Sequence, residues 1–532
     1  GELIFILLVS IVDAAILSWM ALYWYRRTVA RIMSRPPRHG VSPVPPASVP
    51  VGAADRARTT IPVAQLRRRL TIAYLAGILA FAAITGTAMV VAAQNLVPAA
   101  FVSLIWAHAW PIWPVLTLLL AYDRARSARV LTLYLLGGAG AIILVTLIPR
   151  LLRGTMDLVP FSNVYWAVAS LLVVGSAPLL VLALISIRRV RAVMPLALSG
   201  TIVFGIGLTL FRRLVIVGFN DITFRSAMLS LAGWSSTGVA YYGLYFVAAI
   251  PLAWCAWKVL QRIAHAYARK RFSDAQILVD CWFASIAAAT IAVDLLTPFG
   301  FLGFAIGGAA FAAYRITVLA VLRLVPITAP DPSSDGLRLL MLRVFGFQHR
   351  TELLFDRLSR DWRFHGPVQL IGGPDLATRT VDAGEVLSFL EGRLEEQYVS
   401  SLESVPARMN SLDLARDPDG RFRVNDIYCL NDTWQAMFLS MLSVTDRVVM
   451  DLRGFSPTRA GCRFELEQLV LHVPADRIVL VTDATTDVAL LTQIVTAPVV
   501  IVPVERDLAE GVSKIVSSLL RPAMQAPATL SA

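Results

Sequence analysis

Long apolar runs fill the first 330 residues of the chain, whereas shorter apolar runs alternate with amphipathic stretches after them. A helix that crosses a bilayer needs about 20 mainly apolar residues. The first part predicts nine such helices, near 4–25, 71–92, 101–122, 130–149, 164–187, 193–217, 237–260, 275–296 and 299–322. We therefore expect an all-α, multi-pass membrane domain of about nine transmembrane helices over residues 1–323.

The residues from Leu337 onward have a different periodicity. Five short apolar runs predict buried strands, at 337–345, 368–373, 447–452, 477–482 and 499–504, and the stretches between them predict helices. This alternation is typical of a doubly wound parallel sheet, flavodoxin-like in class. We expect an α/β domain over 337–520, preceded by a linker at 324–336 and followed by a disordered tail at 521–532. The turn Asp417–Gly420 suggests a hairpin insertion.

The charged residues separate the same two parts. The chain has 48 Lys and Arg against 36 Asp and Glu. Residues 331–532 contain 20 of these cations and 27 of these anions, a net charge of −7, which leaves 28 cations and nine anions, or +19, for residues 1–330. Cations that flank apolar spans are typical of membrane proteins, so the overall +12 does not predict binding to nucleic acid. The lipid bilayer is the predicted partner.

The basic loops predict the orientation of the spans. Arginines cluster after spans one, three, five and seven, including the Pro- and Arg-rich linker 26–69, whereas the loops near Asn95 and Pro298 carry almost none. Positive loops face the cytoplasm. We therefore expect the N-terminus outside and the C-terminal domain in the cytoplasm of a cell with a plasma (inner) membrane. Four arginines fall on the opposite side, namely Arg150, Arg153, Arg212 and Arg213.

Ionisable side chains within apolar spans are candidates for function. Asp280 in the eighth span and Arg315 in the ninth lie at depths that agree to about 3 Å, from the helical rise of about 1.5 Å per residue. The simplest interpretation is a structural ion pair between neighbouring helices, and the alternative is an ion or proton pathway. Asp13, near the middle of the first span, has no partner that the sequence identifies. The four cysteines show no disulfide or zinc-site spacing, so no metal is expected.

Ligands of parallel sheets bind beyond the carboxyl ends of the strands. Two segments lie there: Gly372, Gly373 and Asp375 follow the second strand, and Asp451 and Arg453 end the third. Glycines let a ligand approach the backbone, although a tight turn explains the same residues.

Glu465 is the candidate catalytic residue. It falls in the first two turns of the helix that follows Asp451, near the ligand edge. Leu466 and Leu469 form the apolar face of this helix, and Glu467 is expected to face solvent. The simplest interpretation of Glu465 is a favourable interaction with the helix dipole, which contributes at most about 1 kcal/mol.

The segment from Arg447 to Ser456, followed by Gly461–Leu466, resembles the third strand and next helix of TIR domains. There a W-C-x-x-E-L pattern places the glutamate of NAD-cleaving members, which Cys462, Glu465 and Leu466 match. The segment is also similar to nucleoside deoxyribosyltransferase-type domains, whose G-x-x-x-E pattern matches Gly461 and Glu465.

The resemblance implies a ligand and a reaction. NAD or a related nucleotide would bind, Phe345 or Phe347 would stack on it, and Glu465 would act in cleavage of the N-glycosidic bond. Asp451 or Arg453 would hold the ribose or phosphate. The implied protein is a membrane-tethered signalling or defence protein that self-associates through this domain. The alternatives are a membrane receptor or regulator, or a transporter, whose C-terminal domain is a non-catalytic interaction module.

Overall fold

The computed structural model of the chain describes residues 2–34, 63–92, 188–233, 237–325, 336–343, 348–372, 383–430, 433–504 and 508–521, and a few isolated positions. The described residues divide into two units, which are treated separately below. The first contains described residues from 1–25, 64–327 and 381–390, and the second contains described residues from 26–63, 328–380 and 391–532.

The first unit is helical. Its elements are α1 (Glu2–Met33), α2 (Val63–Ala92), α3 (Arg188–Gly218), α4 (Ile222–Ala232), α5 (Thr237–Ala268), α6 (Asp274–Thr290), α7 (Leu296–Phe299) and α8 (Leu302–Leu324). Five of them, α1, α2, α3, α5 and α8, are long and apolar enough to cross a membrane. This confirms a multi-helix apolar region at five of the nine predicted positions. The predicted spans 101–122, 130–149 and 164–187 lie outside the described residues.

The predicted eighth span is interrupted. A capping box starts α6, in which Ser273 Oγ accepts a hydrogen bond from the Gln276 amide (3.1 Å) and Gln276 Oε1 accepts one from the Ser273 amide (3.0 Å). After Thr290 the chain forms a π-helical segment, Ile291–Leu295, before the short α7. Pro298 within α7 lacks an N–H and crowds the carbonyl four residues earlier, which belongs to the π segment. The proline thus accounts for the change of helix type.

The π segment packs closely against α8. A Cβ placed on Gly303 would lie 2.7 Å from the Leu295 carbonyl oxygen, and one on Gly307 would lie 2.1 Å from Ile291 Cγ1. A side chain at either position would collide with the neighbouring segment, so the glycines permit this contact.

The second unit contains a seven-stranded sheet in which every strand pairing is parallel. The strands are β1 (Leu339–Arg343), β2 (Val368–Gly372), β3 (Tyr398–Val399), β4 (Val424–Cys429), β5 (Arg447–Asp451), β6 (Ile478–Thr482) and β7 (Val500–Pro503). Their order is β3-β4-β2-β1-β5-β6-β7. The five predicted strands appear here as β2-β1-β5-β6-β7, which is the flavodoxin-like order.

Two strands were not predicted. The segment after the Asp417–Gly420 turn forms β4, which pairs in parallel with β2, so the expected hairpin insertion is wrong. The short β3 pairs in parallel with β4 and forms the edge of the sheet. The local turn at Asp417–Gly420 suggested the hairpin, whereas the strand after it pairs in parallel with a strand distant in the chain. Asn425 of β4 is buried, where its Oδ1 accepts a hydrogen bond from the Asp413 amide (2.7 Å) and its Nδ2 donates one to the Asp413 carbonyl (3.0 Å).

The remaining helices are α9 (Gln348–Trp362), α10 (Ala383–Glu391), α11 (Ser404–Asn410), α12 (Thr433–Leu442), α13 (Ala460–His472), α14 (Val488–Ile494) and α15 (Leu508–Leu519). Of these, α10 falls in the first unit. The sheet has an apolar core on each face. One core includes Leu342, Met450 and Leu466, and the other includes Leu339, Leu358 and Ile515. Alternate residues of β1 thus enter opposite cores, as the period of a strand requires.

Candidate functional site

The strand order reverses direction between β1 and β5. The chain proceeds from β1 to β2 and then to β3 at the edge, places β4 between β3 and β2, and crosses back to β5 on the other side of β1. The carboxyl ends of these two strands meet in register, with Arg343 opposite Asp451. Ligands of open parallel sheets bind in the crevice at this topological switch point. The residues around Arg343 and Asp451 therefore form the candidate site, which we call the switch-point site.

Asp451 and Arg453 bind each other at this site. Arg453 Nε and Nη2 each donate to one carboxylate oxygen of Asp451 at 2.8 Å, and the Arg453 amide donates to Oδ1 at 3.2 Å. Both side chains are buried. Such bidentate pairing is the strongest geometry that arginine and a carboxylate can form. A ligand that binds Asp451 or Arg453 would therefore compete with the hydrogen bonds between these two side chains.

Glu465 lies in the second turn of α13 and is 2% exposed. Its neighbours Leu466 and Leu469 are buried in the core of the same sheet face, whereas the Glu467 side chain is 42% exposed and pairs with Arg463. Among the described residues, Glu465 Oε2 has no hydrogen-bond partner. A carboxyl oxygen that is buried without a partner loses the hydration it had in water, so its burial costs free energy.

Burial raises the pKa of the Glu465 carboxyl to about 8, and the positive charge of Arg343 limits the increase. Desolvation penalises the charged form of an acid, which is why its pKa rises. Glu465 is therefore mostly a neutral acid at pH 7. The interaction with Arg343 also places Glu465 within electrostatic range of the end of β1.

Cys462 lies one turn before Glu465 on α13. It is buried, and burial together with the negative charges of Glu465 and Asp451 raises the pKa of its thiol. A thiol with a raised pKa holds little thiolate and is a weak nucleophile. Cys462 is thus a packing residue in this helix.

The other candidates are only partly described. Gly372 is the last residue of β2 and is buried. Gly373, Asp375, Phe345 and Phe347 lie outside the described residues. The sequence does not single out Arg343, because its local pattern makes Arg343 only a polar residue near the end of a predicted strand. Its position opposite Asp451 depends on which strands are neighbours, and the spacing of residues along the chain does not contain that information.

The first unit holds a second polar cluster. Arg315 Nη1 on α8 donates to Asp280 Oδ2 on α6, and the Tyr314 hydroxyl donates to Asp280 Oδ1 at 2.9 Å. The carboxylate is thus bound on both oxygens, as expected of a bracing interaction between two helices. For Asp13 on α1, Oδ2 is buried and has no hydrogen-bond partner among the described residues.

Within the described part of the chain, no group of three or more His, Cys, Asp and Glu side chains is arranged to hold a metal ion. All four cysteines are free thiols. Comparisons with protein-family models, curated proteins and solved structures found no match.

Proposed function

We propose that the protein is an integral membrane protein of nine spans whose TIR-like C-terminal domain binds a nucleotide at the switch-point site. The apolar helices support the membrane location, and the β2-β1-β5-β6-β7 order supports a flavodoxin-like sheet with a ligand at its carboxyl edge. The domain faces the cytoplasm, self-associates and acts in signalling or defence.

One observation carries the nucleotide-binding proposal: the carboxyl of Glu465 is buried within electrostatic range of Arg343, and Oε2 has no hydrogen-bond partner among the described residues. Such a group weakens the fold, and a carboxyl with a perturbed pKa at a ligand edge is typical of a functional site. We propose that Glu465 faces the anomeric carbon of a bound N-glycoside and that Arg343 holds a phosphate or ribose oxygen. Phe345 and Phe347 remain candidates for stacking on the base.

The proposed reaction is hydrolysis of the N-glycosidic bond of NAD. As the bond from the anomeric carbon to the nicotinamide nitrogen breaks, its electron pair leaves with nicotinamide and the ribose carbon becomes positively charged. An ionised Glu465 stabilises this charge, and water then adds to the carbon through its oxygen and releases one proton to the solvent, which leaves a ribose hydroxyl at that position. The positive charge of the bound nicotinamide ring favours ionisation of Glu465, because an opposite charge nearby lowers the pKa of an acid.

The assay uses the full-length protein in detergent, incubated with NAD at high protein concentration and analysed for nicotinamide release by chromatography. We expect Glu465→Gln to reduce the rate by about 10²-fold or more, the usual loss when one group that stabilises the transition state is removed. The control is Glu467→Gln, which changes an exposed acid of the same helix. The wild-type rate should rise with pH and level off near or below pH 8, as the carboxyl ionises.

Two results would decide against catalysis. If the wild type binds NAD without releasing nicotinamide, the C-terminal domain is a nucleotide sensor. If it neither binds nor cleaves NAD, the nucleotide proposal is wrong and the non-catalytic interaction module remains.

The nine-span arrangement predicts the sides on which two positions lie. Reporter domains fused after Ala532 and inserted near Asn95 should report opposite sides of the membrane, the first cytoplasmic and the second external. The orientation follows because the arginine-rich loops come after odd-numbered spans. Reporters on the same side of the membrane would contradict the nine-span arrangement.

A further inference from the structure

The first unit contains a carboxyl that its own helices do not satisfy, that of Asp13 on α1. Its Oδ2 is buried, and no hydrogen bond or ion pair reaches Asp13 among the described residues. An acidic side chain within an apolar span is costly, so it is a candidate for function by default. The packing of α1 shows which groups surround this carboxyl.

Asp13 lies on the face of α1 that packs against α3 and α5. Ser10 faces α3, since its Oγ would lie 3.7 Å from a Cβ placed on Gly205. Val9 packs against an apolar cluster that joins α1 to α3 and α5. Residues three and four apart share one face of a helix. Asp13 therefore follows Ser10 and Val9 by one turn on the same face.

The contacts between α1 and α3 give the level of Asp13 within the unit. Ser10 is opposite Gly205, and Ala14 is opposite Gly200, where a Cβ on the glycine would lie 3.1 Å from Ala14 Cβ. The two helices are thus antiparallel, and the glycines let them approach closely. Asp13 lies at the level of Gly200.

A second carboxyl lies near the same level of α3. The hydroxyl of Ser199, which precedes Gly200, is 3.3 Å from Cys281 Sγ on α6, and Asp280 precedes Cys281. Both carboxyl oxygens of Asp280 accept hydrogen bonds from side chains of α8. Protein groups therefore satisfy Asp280, whereas Asp13 has no such partner among the described residues.

The helices packed around Asp13 offer it no charge partner. Their nearest ionisable side chains are either about 14 Å or more away along the helix, at about 1.5 Å per residue, or exposed. These residues are Glu2 and Arg26 on α1, Arg191 and Arg212 on α3, and the exposed Cys255 and Lys258 on α5.

A proton is the ligand that this arrangement can hold. Hard metal cations such as Mg²⁺ and Ca²⁺ take about six or more oxygen ligands. Asp13 supplies one carboxyl, and the Ser10 hydroxyl one turn away donates to the Ile6 carbonyl at 2.6 Å. A single proton, in contrast, neutralises a carboxylate and removes the cost of burying its charge.

We propose that Asp13 reversibly binds a proton within the apolar helices. An O–H bond forms at Oδ2 with a proton taken from water, and the same bond breaks when the proton returns to water. Asp280 does not carry this proton, because side chains of α8 occupy both of its oxygens. The proposal concerns the helical unit and does not depend on what the switch-point site binds.

The test labels the full-length protein in detergent with N,N′-dicyclohexylcarbodiimide. This lipid-soluble reagent adds to a protonated carboxyl, and the adduct rearranges to a stable N-acylurea. Peptide mass spectrometry measures the labelling rates of Asp13 and Asp280 separately, so Asp280 is the matched control within the same molecule. Asp13→Asn provides the blank for the peptide that contains position 13.

We expect the labelling rate of Asp13 to fall at least tenfold between pH 5 and pH 9. The reagent needs the protonated form, whose share falls about tenfold for each pH unit above the midpoint of ionisation. Asp280 should react at least tenfold more slowly than Asp13 at pH 5, because both of its oxygens are bound. Replacing sodium by choline at constant pH and ionic strength should leave the rate at Asp13 unchanged.

Three outcomes would overturn the proposal. The first is a wild-type protein in which Asp13 is not labelled at any pH. The second is a rate that is the same from pH 5 to pH 9, which would show that the proton is not exchanged. The third is faster labelling of Asp13 without sodium, which would show that the site holds a metal cation instead. The decisive rates come from the wild-type chain and do not require a variant to fold.

Discussion

Replacing Glu465 with glutamine should make the sheet domain more stable at alkaline pH and leave it unchanged at pH 4. The carboxyl titrates near its ordinary pKa of 4.5 in the unfolded chain and at about 8 in the fold. Between these values the folded protein binds more protons than the unfolded one, so its free energy of unfolding falls as the pH rises. Each unit of pKa difference corresponds to about 1.4 kcal/mol. Glutamine does not titrate, so the free energy of unfolding of the variant does not fall with pH on account of this residue.

The expected gain is therefore close to zero at pH 4, grows between about pH 4.5 and pH 8, and reaches roughly 5 kcal/mol above pH 8. It can be measured on the full-length protein as the difference in urea unfolding between variant and wild type, followed by the exposure of the buried Cys462. Groups common to both proteins cancel in this difference. Glu467→Gln, which changes an exposed acid of the same helix, is the control and should give a much smaller change. A Glu465→Gln difference that is equally large at pH 4 and pH 9 would show that Glu465 does not titrate as described.

Replacing Asp451 with asparagine should destabilise the sheet domain by about 3–5 kcal/mol, the usual cost of breaking a buried ion pair by neutralising one partner. The change preserves the shape of the side chain, but it removes the negative charge to which the buried guanidinium of Arg453 donates two hydrogen bonds. Unfolding of the full-length protein at pH 7 measures the loss.

The exposed pair of Arg463 and Glu467 provides the matched comparison. Their side chains are 54% and 42% exposed, and such surface pairs contribute about 0–1 kcal/mol. Glu467→Gln should therefore cost far less than Asp451→Asn. Replacing Asp451 and Arg453 together by uncharged residues should cost less than the sum of the two single changes, because no unpaired charge is left in the interior. A loss of less than about 1 kcal/mol for Asp451→Asn would show that Arg453 readily finds another partner or water.

The sequence alone predicted the elements that depend on local pattern. The apolar helices at α1, α2, α3, α5 and α8, and the five strands of the flavodoxin-like order, were all predicted, because about 20 apolar residues or a short apolar run between amphipathic helices is sufficient to identify each type of element. The burial of Leu466 and Leu469, with Glu467 exposed, follows from the helical period in the same way.

The tertiary structure decided the features that depend on neighbours distant in the chain. Strand β4 was mistaken for one arm of a hairpin because the Asp417–Gly420 turn is a local signal, whereas the parallel pairing of β4 with β2 joins segments distant in the chain. The assignment of α10 to the helical unit rests on Tyr25, which precedes Glu385 by 360 residues. Arg343 lies within electrostatic range of Glu465 for the same reason. Strand order fixes the electrostatic environment of a buried carboxyl, and local sequence patterns do not determine strand order.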